Sequence, residues 1–399
     1  MALKENLAKL SNIKGLIPEK VNFAEFTNNF ARVMSEKSEE MGSFNVLIAG
    51  KTGTGKSTLI NAIFRDELAE TGIGAPVTDS IKMITKPGVP IKIYDTVGLE
   101  LDSERQQKVM SEINNIIEDS ESSDSNEKIH CIWYCINANS SRVEPVEEIF
   151  INQLADTGIP VIIVLTKAFS QTEAKELRKY IENTKDPLIN AKGICAVLAK
   201  GYFDSKISVK EYGKKELVSL TRLVISEDAE EPFVSAQIAD LSIKRKKANY
   251  YIGGAVGLAA AQCVNPIPGT DAPILVGIQM SMMASITYVY GINLKKDDVA
   301  YILGILISTQ GVKFAGVTLA SFLKSIAGLG TVAGIAINMG VATTLTATLG
   351  KTYAYIMEQI LTRKLDLENI DRKKWRDSIK TITKQIKNND TVFDFEGVE

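Results

Sequence analysis

Short apolar runs rich in β-branched residues alternate with helical stretches between Phe44 and about residue 225. The runs are FNVLIAG, IKMIT, IKIYD, IHCIWYCIN, PVIIVLT and ICAVLA. This alternation predicts an α/β domain with a mostly parallel sheet covered by helices on both faces. The second and third runs are joined by KPGVP, in which Pro and Gly favour a turn, so we expect one antiparallel hairpin at an edge of the sheet.

Helical patterns lie on either side of this domain. In the first forty residues, apolar side chains recur at three- and four-residue steps and predict two short amphipathic helices: Leu3, Leu7, Leu10, Phe23, Phe26, Phe30 and Val33. After about residue 225, long uncharged stretches precede a charged helical carboxyl terminus. We predict a helical segment (1–42), an α/β domain (43–228) and a helical domain (229–399), with the two helical parts forming one all-α domain.

Three uncharged stretches, 248–270, 272–294 and 325–350, are long enough to span a bilayer. Their Pro, Asn, Gln, Ser and Gly content favours a soluble helical bundle over insertion. Just before them, the KRKK cluster at 244–247 is either a solvated linker or a contact for anionic headgroups. Near the end, a helical stripe faces either the core, which we favour, or a membrane surface: Trp375, Ile379, Ile382 and Ile386.

Composition and charge narrow the class of protein. The 399 residues are 45% hydrophobic and 24% charged, which is typical of a globular protein with a sizeable core. A formal net charge of −2 argues against a nucleic-acid partner, because coating phosphates needs an excess of Lys and Arg. The four cysteines show no metal-binding spacing, and the charged amino terminus lacks an apolar signal-peptide core. We expect a cytoplasmic protein that can associate peripherally with a membrane.

The strongest motif is GKTGTGKST at 50–58, which fits GxxxxGK[ST], follows an apolar strand and opens a helix. Its glycines allow backbone N–H groups to close around a phosphate, Lys56 brings a positive charge to the β- and γ-phosphates, and Ser57 is expected to ligate Mg²⁺. The predicted nucleotide contacts are Gly50, Lys51, Thr52, Gly53, Thr54, Gly55, Lys56, Ser57 and Thr58.

Three downstream residues complete the predicted phosphate chemistry. Asp95 ends an apolar strand, where it would hold the water shell of the metal, and the Gly98 N–H would meet the γ-phosphate. Thr78 is either a hydroxyl ligand for Mg²⁺ or an ordinary loop residue. The predicted metal set is therefore Ser57, Thr78 and Asp95, and the predicted catalytic set is Lys56, Thr78 and Gly98.

The motifs GKTGTGKST, PVT, DTVG and TK resemble the successive nucleotide-binding motifs of translation-factor-related GTPases over roughly residues 44–225. Glycine in the middle of the first motif is similar to septins, AIG-type GTPases and immunity-related GTPases. The order of short helical segment, GTPase domain and long helical domain resembles the immunity-related GTPases most. The stretch NPIPGTDAPILVGIQMSMMASITYVYGI at 265–292 resembles a helical module that follows GTPase domains in many bacterial proteins, so the resemblance implies a bacterial relative. The resemblance implies binding of GTP and GDP with Mg²⁺, and self-association through the GTPase domain.

Two residues depart from the pattern. Leu99 in DTVGL stands where Ras-like proteins have the Gln that orients the attacking water, so hydrolysis by a lone protomer should be slow. Either a second protomer or an activator supplies the missing contact, or the chain is a slow switch. Phe169 in VLTKAFS stands where an Asp usually reads guanine. The remaining predicted base contacts are Thr166, Lys167 and the Ala199 N–H, and GTP is favoured over ATP.

The sequence thus predicts a GTP-hydrolysing switch that is slow as a monomer and is activated by dimerisation or assembly of its GTPase domain. The helical domain would engage partners or a membrane surface. Two alternatives are a nucleotide-sensing interaction module with negligible hydrolysis and an integral membrane GTPase.

Overall fold

The computed structural model describes residues 23–65, 68, 73–76, 78, 80–96, 103–122, 128–140, 142–183, 189–203, 208–264, 271–309, 339–367 and 371–388. These belong to two compact units. The α/β unit is Met41–Leu241, and the helical unit combines Met1–Glu40 with Ser242–Glu399.

A seven-stranded sheet forms the centre of the α/β unit. Its strands are β1 (Phe44–Ala49), β2 (Ile73–Pro76), β3 (Ile81–Lys86), β4 (Val89–Thr96), β5 (Cys131–Asn137), β6 (Val161–Thr166) and β7 (Gly193–Ala196), in the order β2-β3-β4-β1-β5-β6-β7. Strands β4, β1, β5, β6 and β7 run parallel, and β2 and β3 are antiparallel. The sheet is therefore mostly parallel, as the alternating pattern predicted.

The hairpin of β3 and β4 is present, with Gly88 in its turn at φ 77°. It does not lie at the edge, because the short strand β2 pairs outside β3. Gly74 and Pro76 make this strand poor in β-forming residues, and an edge strand tolerates both since one side needs no ladder partner. A second, two-stranded sheet pairs β8 (Tyr202–Phe203) with β9 (Ser208–Val209).

The first described helix, α1 (Phe23–Met41), belongs to the helical unit. The described helices of the α/β unit are α2 (Lys56–Ile63), α3 (Ser103–Ser122), α4 (Pro145–Asp156), α5 (Gln171–Asn183), α6 (Lys214–Val224) and α7 (Glu227–Ala236). Helix α7 contacts β1 and β4, and its Phe233 ring lies 4.7 Å from the Phe44 ring. This packing carries the α/β unit to Leu241, beyond the boundary at 228 that the sequence suggested.

The helical unit contains α1, α8 (Leu241–Val264), α9 (Asp271–Tyr290), α10 (Lys296–Thr309), α11 (Met339–Leu361) and α12 (Arg372–Asn388). Phe30 of α1 is buried in the same core as side chains of α8 to α12. The amino-terminal helix and the carboxyl-terminal helices therefore form one all-α unit. In α12, Trp375, Ile379 and Ile382 are buried, which confirms that the apolar stripe faces the core.

Two residues of the basic cluster that opens α8 have partners inside the helical unit. Lys244 is fully buried and its Nζ donates to the Val289 carbonyl at 2.8 Å. Arg245 makes a two-point contact with Glu358 at 2.8 and 2.7 Å, and the Tyr290 hydroxyl also donates to that carboxylate. These two cations stabilise the helical unit and do not form a solvated linker.

The described helices include none with both the length and the apolarity that a bilayer crossing requires. Residues 325–338 of the third uncharged stretch lie outside the described part of the chain.

Candidate functional site

The loop between β1 and α2 carries three glycines with positive φ. Gly50, Gly53 and Gly55 have φ of 138°, 78° and 95°, a backbone region that other residues rarely adopt. A Cβ at Gly50 would lie only 2.3 Å from the Cys135 carbonyl oxygen of β5, whereas a Cβ at Gly53 would meet nothing within 4 Å. Gly50 is therefore required both by its φ and by the close approach of β5.

Lys56 is the first residue of α2 and is 9% exposed. Its Nζ donates to the Gly50 carbonyl at 2.8 Å and contacts the Lys51 carbonyl at 3.4 Å, so the ammonium folds back over the loop. Ser57 and Thr58 follow it and are exposed at the amino end of the helix. A helix amino terminus with free N–H groups attracts anions, and Lys56 adds a full positive charge to it.

Two threonines fix the shape of the loop. Thr54 is buried, and its hydroxyl donates to the Lys51 carbonyl at 2.9 Å. The Thr166 hydroxyl at the end of β6 donates to the Thr54 carbonyl at 2.5 Å. Thr54 and Thr166 therefore hold the phosphate loop against the strand ends, while Thr52 is exposed.

A buried carboxylate that the sequence analysis missed also holds the loop. Glu147 of α4, 4% exposed, pairs with the Lys51 ammonium at 2.8 Å. Its carboxylate also accepts from the Tyr134 hydroxyl at 3.4 Å and from the Glu144 N–H at 3.3 Å. Glu144 and Glu147 form a capping box at the start of α4, which is the local signal that marks this position.

Asp95 lies near the end of β4, in register with Ile48 of β1 and therefore beside the start of the phosphate loop. Its Oδ1 is buried and has no hydrogen-bond partner in the described structure. Burial raises the pKa of Asp95, while the charges of Lys56 and Lys82 lower it. A buried carboxylate oxygen without a donor fits a cation, and Mg²⁺ accepts both carboxylate and hydroxyl oxygens, so Asp95 and the exposed Ser57 suit such an ion.

Thr78 has protein partners for its hydroxyl. The hydroxyl donates to the Glu112 carboxylate of α3 at 2.6 Å and accepts from the Ile81 N–H at 3.0 Å. The structure thus ties the segment before β3 to α3 through Thr78 and Glu112. Gly98 and Leu99 lie outside the described residues.

The predicted base-reading residues meet at the ends of β6 and β7. The Ala168 N–H donates to the Val197 carbonyl at 3.3 Å, and the Tyr212 hydroxyl donates to the Ala168 carbonyl at 2.7 Å. These bonds join the loop of Lys167 to the loop of Ala199. Lys167 is exposed, adopts φ 53°, and its stem passes 3.6 Å from the position of a Cβ at Gly55.

Comparison with known proteins gives this geometry a family context. Residues 45–167 match the family model described as 50S ribosome-binding GTPase. The α/β unit has the P-loop GTPase fold. Septin-9 of Rattus norvegicus is 30% identical to this chain over 186 residues, which cover 39% of this chain and 32% of the septin. Neuronal-specific septin-3 of Bos taurus is 24% identical over 226 residues, covering 49% of this chain and 61% of that protein.

The chain therefore spans less than two thirds of either septin. Among solved structures, a dimerization-deficient mutant of Toc33 from Arabidopsis thaliana is 16% identical, with a TM-score of 0.31 over 52% of this chain and 93% of Toc33. A TM-score of that size does not establish a shared fold. The family match supports the GTPase superfamily. The comparisons do not support the predicted immunity-related subclass or a bacterial source.

Proposed function

We propose that the α/β unit binds GTP and GDP with Mg²⁺ and acts as a slowly hydrolysing switch. The observation that carries this proposal is the pairing of two features around one loop. Lys56 folds over the glycine-rich turn, with its Nζ 2.8 Å from the Gly50 carbonyl, and the buried Asp95 Oδ1 has no donor among the described residues. One feature suits a phosphate chain and the other suits the cation that accompanies it.

Each residue has a distinct role in this proposal. Loop N–H groups and Lys56 would bind the phosphates, and Ser57 and Asp95 would hold Mg²⁺, which supplies positive charge to the phosphate oxygens. Thr78 would add its hydroxyl to the metal after exchanging its bond to Glu112. The Gly98 N–H is proposed to meet the γ-phosphate.

Slow turnover and self-association form the finer part of the proposal. Leu99 cannot hydrogen-bond an attacking water, so a lone protomer would stabilise the transition state poorly. We propose that a second GTPase domain supplies the missing contact, in keeping with the likeness to septins and with the motif resemblance to immunity-related GTPases, here as a bacterial relative. The helical unit would engage partners or a membrane surface in the cytoplasm.

The test is the turnover of the full chain with Mg²⁺–GTP, measured across a hundredfold range of protein concentration. Specific activity should rise with concentration, by as much as about a thousandfold if one charged group is supplied in trans. A GTP analogue should increase the mass measured by light scattering, and GDP should not. The control, Lys56→Ala, should lose tight nucleotide binding because it removes the ammonium that lies 2.8 Å from the Gly50 carbonyl, while the helical unit stays folded.

Two results would contradict the proposal at different levels. Flat specific activity with no nucleotide-dependent change in mass would exclude self-activation and leave a nucleotide-sensing module with negligible hydrolysis. Unchanged nucleotide affinity in Lys56→Ala would exclude the phosphate-loop assignment itself.

A further inference from the structure

Exposed aromatic side chains lie on the β6–β7 side of the phosphate loop. Phe169 follows β6, and Tyr202 and Phe203 form β8; their exposed fractions are 43%, 46% and 69%. The rings of Phe169 and Tyr202 meet edge to face with their centroids 6.1 Å apart. Grouped apolar surface of this kind in water marks a contact site for a ligand or partner. Phe169 and Tyr202 are called the aromatic pair below.

The aromatic pair is joined to the phosphate loop by short connections. Thr166, three residues before Phe169, donates to the Thr54 carbonyl at 2.5 Å. The stem of Lys167 passes over Gly55, with its Cε 3.6 Å from the position of a Cβ there. A molecule whose phosphates lie on the loop therefore has the aromatic pair within reach of its other end.

The strand order decides which way such a molecule extends. β1 carries the loop, with β4 on one side and β5, β6 and β7 on the other. Asp95 is the next-to-last residue of β4, and its carboxylate favours the metal-bearing end of a phosphate chain. The opposite end of a nucleotide, its base, then lies over the ends of β6 and β7, where ligands of α/β sheets bind.

The chemistry of the aromatic pair determines what it can recognise. A phenyl ring has no hydrogen-bond acceptor for the N–H groups at the edge of a base, but its face stacks with any base. Such stacking contributes about 1–3 kcal/mol per base and does not distinguish between base edges. The nearby Ala199 N–H is a donor that suits a carbonyl oxygen such as O6 of a purine and gives no information about the 2-amino group.

We propose that Phe169 and Tyr202 hold the nucleobase by stacking, so that the site accepts 6-oxopurine nucleotides without reading the 2-amino group that separates guanine from hypoxanthine. This inference rests on the proposed function, since it places a nucleotide on the phosphate loop. It makes Phe169 a residue that determines specificity.

The experiment measures dissociation constants of the full chain for GDP, inosine diphosphate and inorganic pyrophosphate, all with Mg²⁺. The parent should bind the two nucleotides within about threefold of each other, because stacking is indifferent to the 2-amino group. Phe169→Ala should weaken both about 5- to 150-fold and leave pyrophosphate affinity unchanged. Phe169→Asp should raise the preference for GDP over inosine diphosphate about tenfold, since a carboxylate accepts from the 2-amino group.

Tyr180→Ala is the matched control, because Tyr180 is an aromatic residue of the same unit that is 40% exposed and lies on α5, outside the aromatic pair. It should change none of the three affinities. Tyr202→Ala, a second variant in the aromatic pair, should weaken both nucleotides in the same direction as Phe169→Ala.

Failure of this inference can be told apart from failure of the proposed function. A parent that prefers GDP over inosine diphosphate by more than tenfold, or a Phe169→Ala variant with unchanged GDP affinity, would overturn stacking by Phe169 while pyrophosphate binding still supports the phosphate loop. A parent that binds neither GDP nor pyrophosphate would overturn both.

Discussion

Replacing Gly50 with alanine should damage the phosphate loop through a clash that the structure locates. Gly50 has φ 138°, and a Cβ there would lie 2.3 Å from the Cys135 carbonyl oxygen, against 3.4 Å for ordinary contact. Relief needs a shift of 3.4 − 2.3 = 1.1 Å between β1 and β5, which are parallel neighbours with buried residues. Overpacking costs about 1–3 kcal/mol and the backbone strain about another 1–3 kcal/mol, so the free energy of unfolding should fall by about 2–6 kcal/mol.

Gly53→Ala is the matched control for this substitution. Gly53 also has a positive φ, 78°, but a Cβ there would meet nothing within 4 Å. Only the backbone strain applies, so the free energy of unfolding of Gly53→Ala should fall by about 1–2 kcal/mol. Turnover should also separate the two variants: Lys56 donates to the displaced Gly50 carbonyl, and a misplacement of about 1 Å can lower the rate about a hundredfold.

The assay is chemical denaturation of the full chain followed by tryptophan fluorescence. The chain has two tryptophans, Trp133 in β5 and Trp375 in α12, so a Trp375→Phe background reports on the α/β unit alone. Equal free energies of unfolding for Gly50→Ala and Gly53→Ala would refute the argument, because the clash with Cys135 is the difference between them.

Two further predictions concern buried charge. Burial lowers the pKa of His130, the chain's single histidine, below its ordinary 6.5. The Asn45 N–H donates to its Nδ1 and holds the ring in place. The unfolded chain then binds more protons, so stability should fall as the pH drops below 6.5, by at most about 1.4 kcal/mol per pH unit, and denaturation of His130→Gln between pH 7 and 5.5 should lose that slope. Arg245→Met leaves the buried Glu358 carboxylate without its cation and should lower the free energy of unfolding of the helical unit by about 3–5 kcal/mol. Arg32→Met breaks an exposed ion pair and should lower it by less than about 1 kcal/mol. Equal urea midpoints for the two variants would contradict this prediction.

The sequence alone determined the features that short-range physics controls. The phosphate loop could be predicted because its φ values demand glycine at fixed spacing between an apolar strand and a helix. The mostly parallel sheet and the β3–β4 hairpin followed from strand-length apolar runs and one Pro-Gly turn. Asp95 could be placed near a strand end because the apolar run before it indicates the position of β4, which ends one residue later at Thr96.

Contacts between residues far apart in the chain depend on the folded arrangement of the helices and strands. Lys244 and Arg245 read as a solvated basic cluster, but their partners, Val289 and Glu358, lie on other helices. A capping box marks the start of α4, but the bond of Glu147 to Lys51 depends on how α4 packs beside β6, and no local pattern specifies that packing.

The boundary of the α/β unit and the surroundings of Phe169 are also determined by packing between elements that lie far apart in the chain. Helix α7 has a helical pattern like those after it, and its packing on β1 and β4, with Phe233 against Phe44, assigns it to the α/β unit. In the sequence, Phe169 is only a departure from the TK motif. In the folded protein, the Tyr202 ring lies against the Phe169 ring. A charge, helix or aromatic ring shows its own chemistry in sequence, but its partner is selected by the packing of distant elements, where burial and desolvation determine the energy.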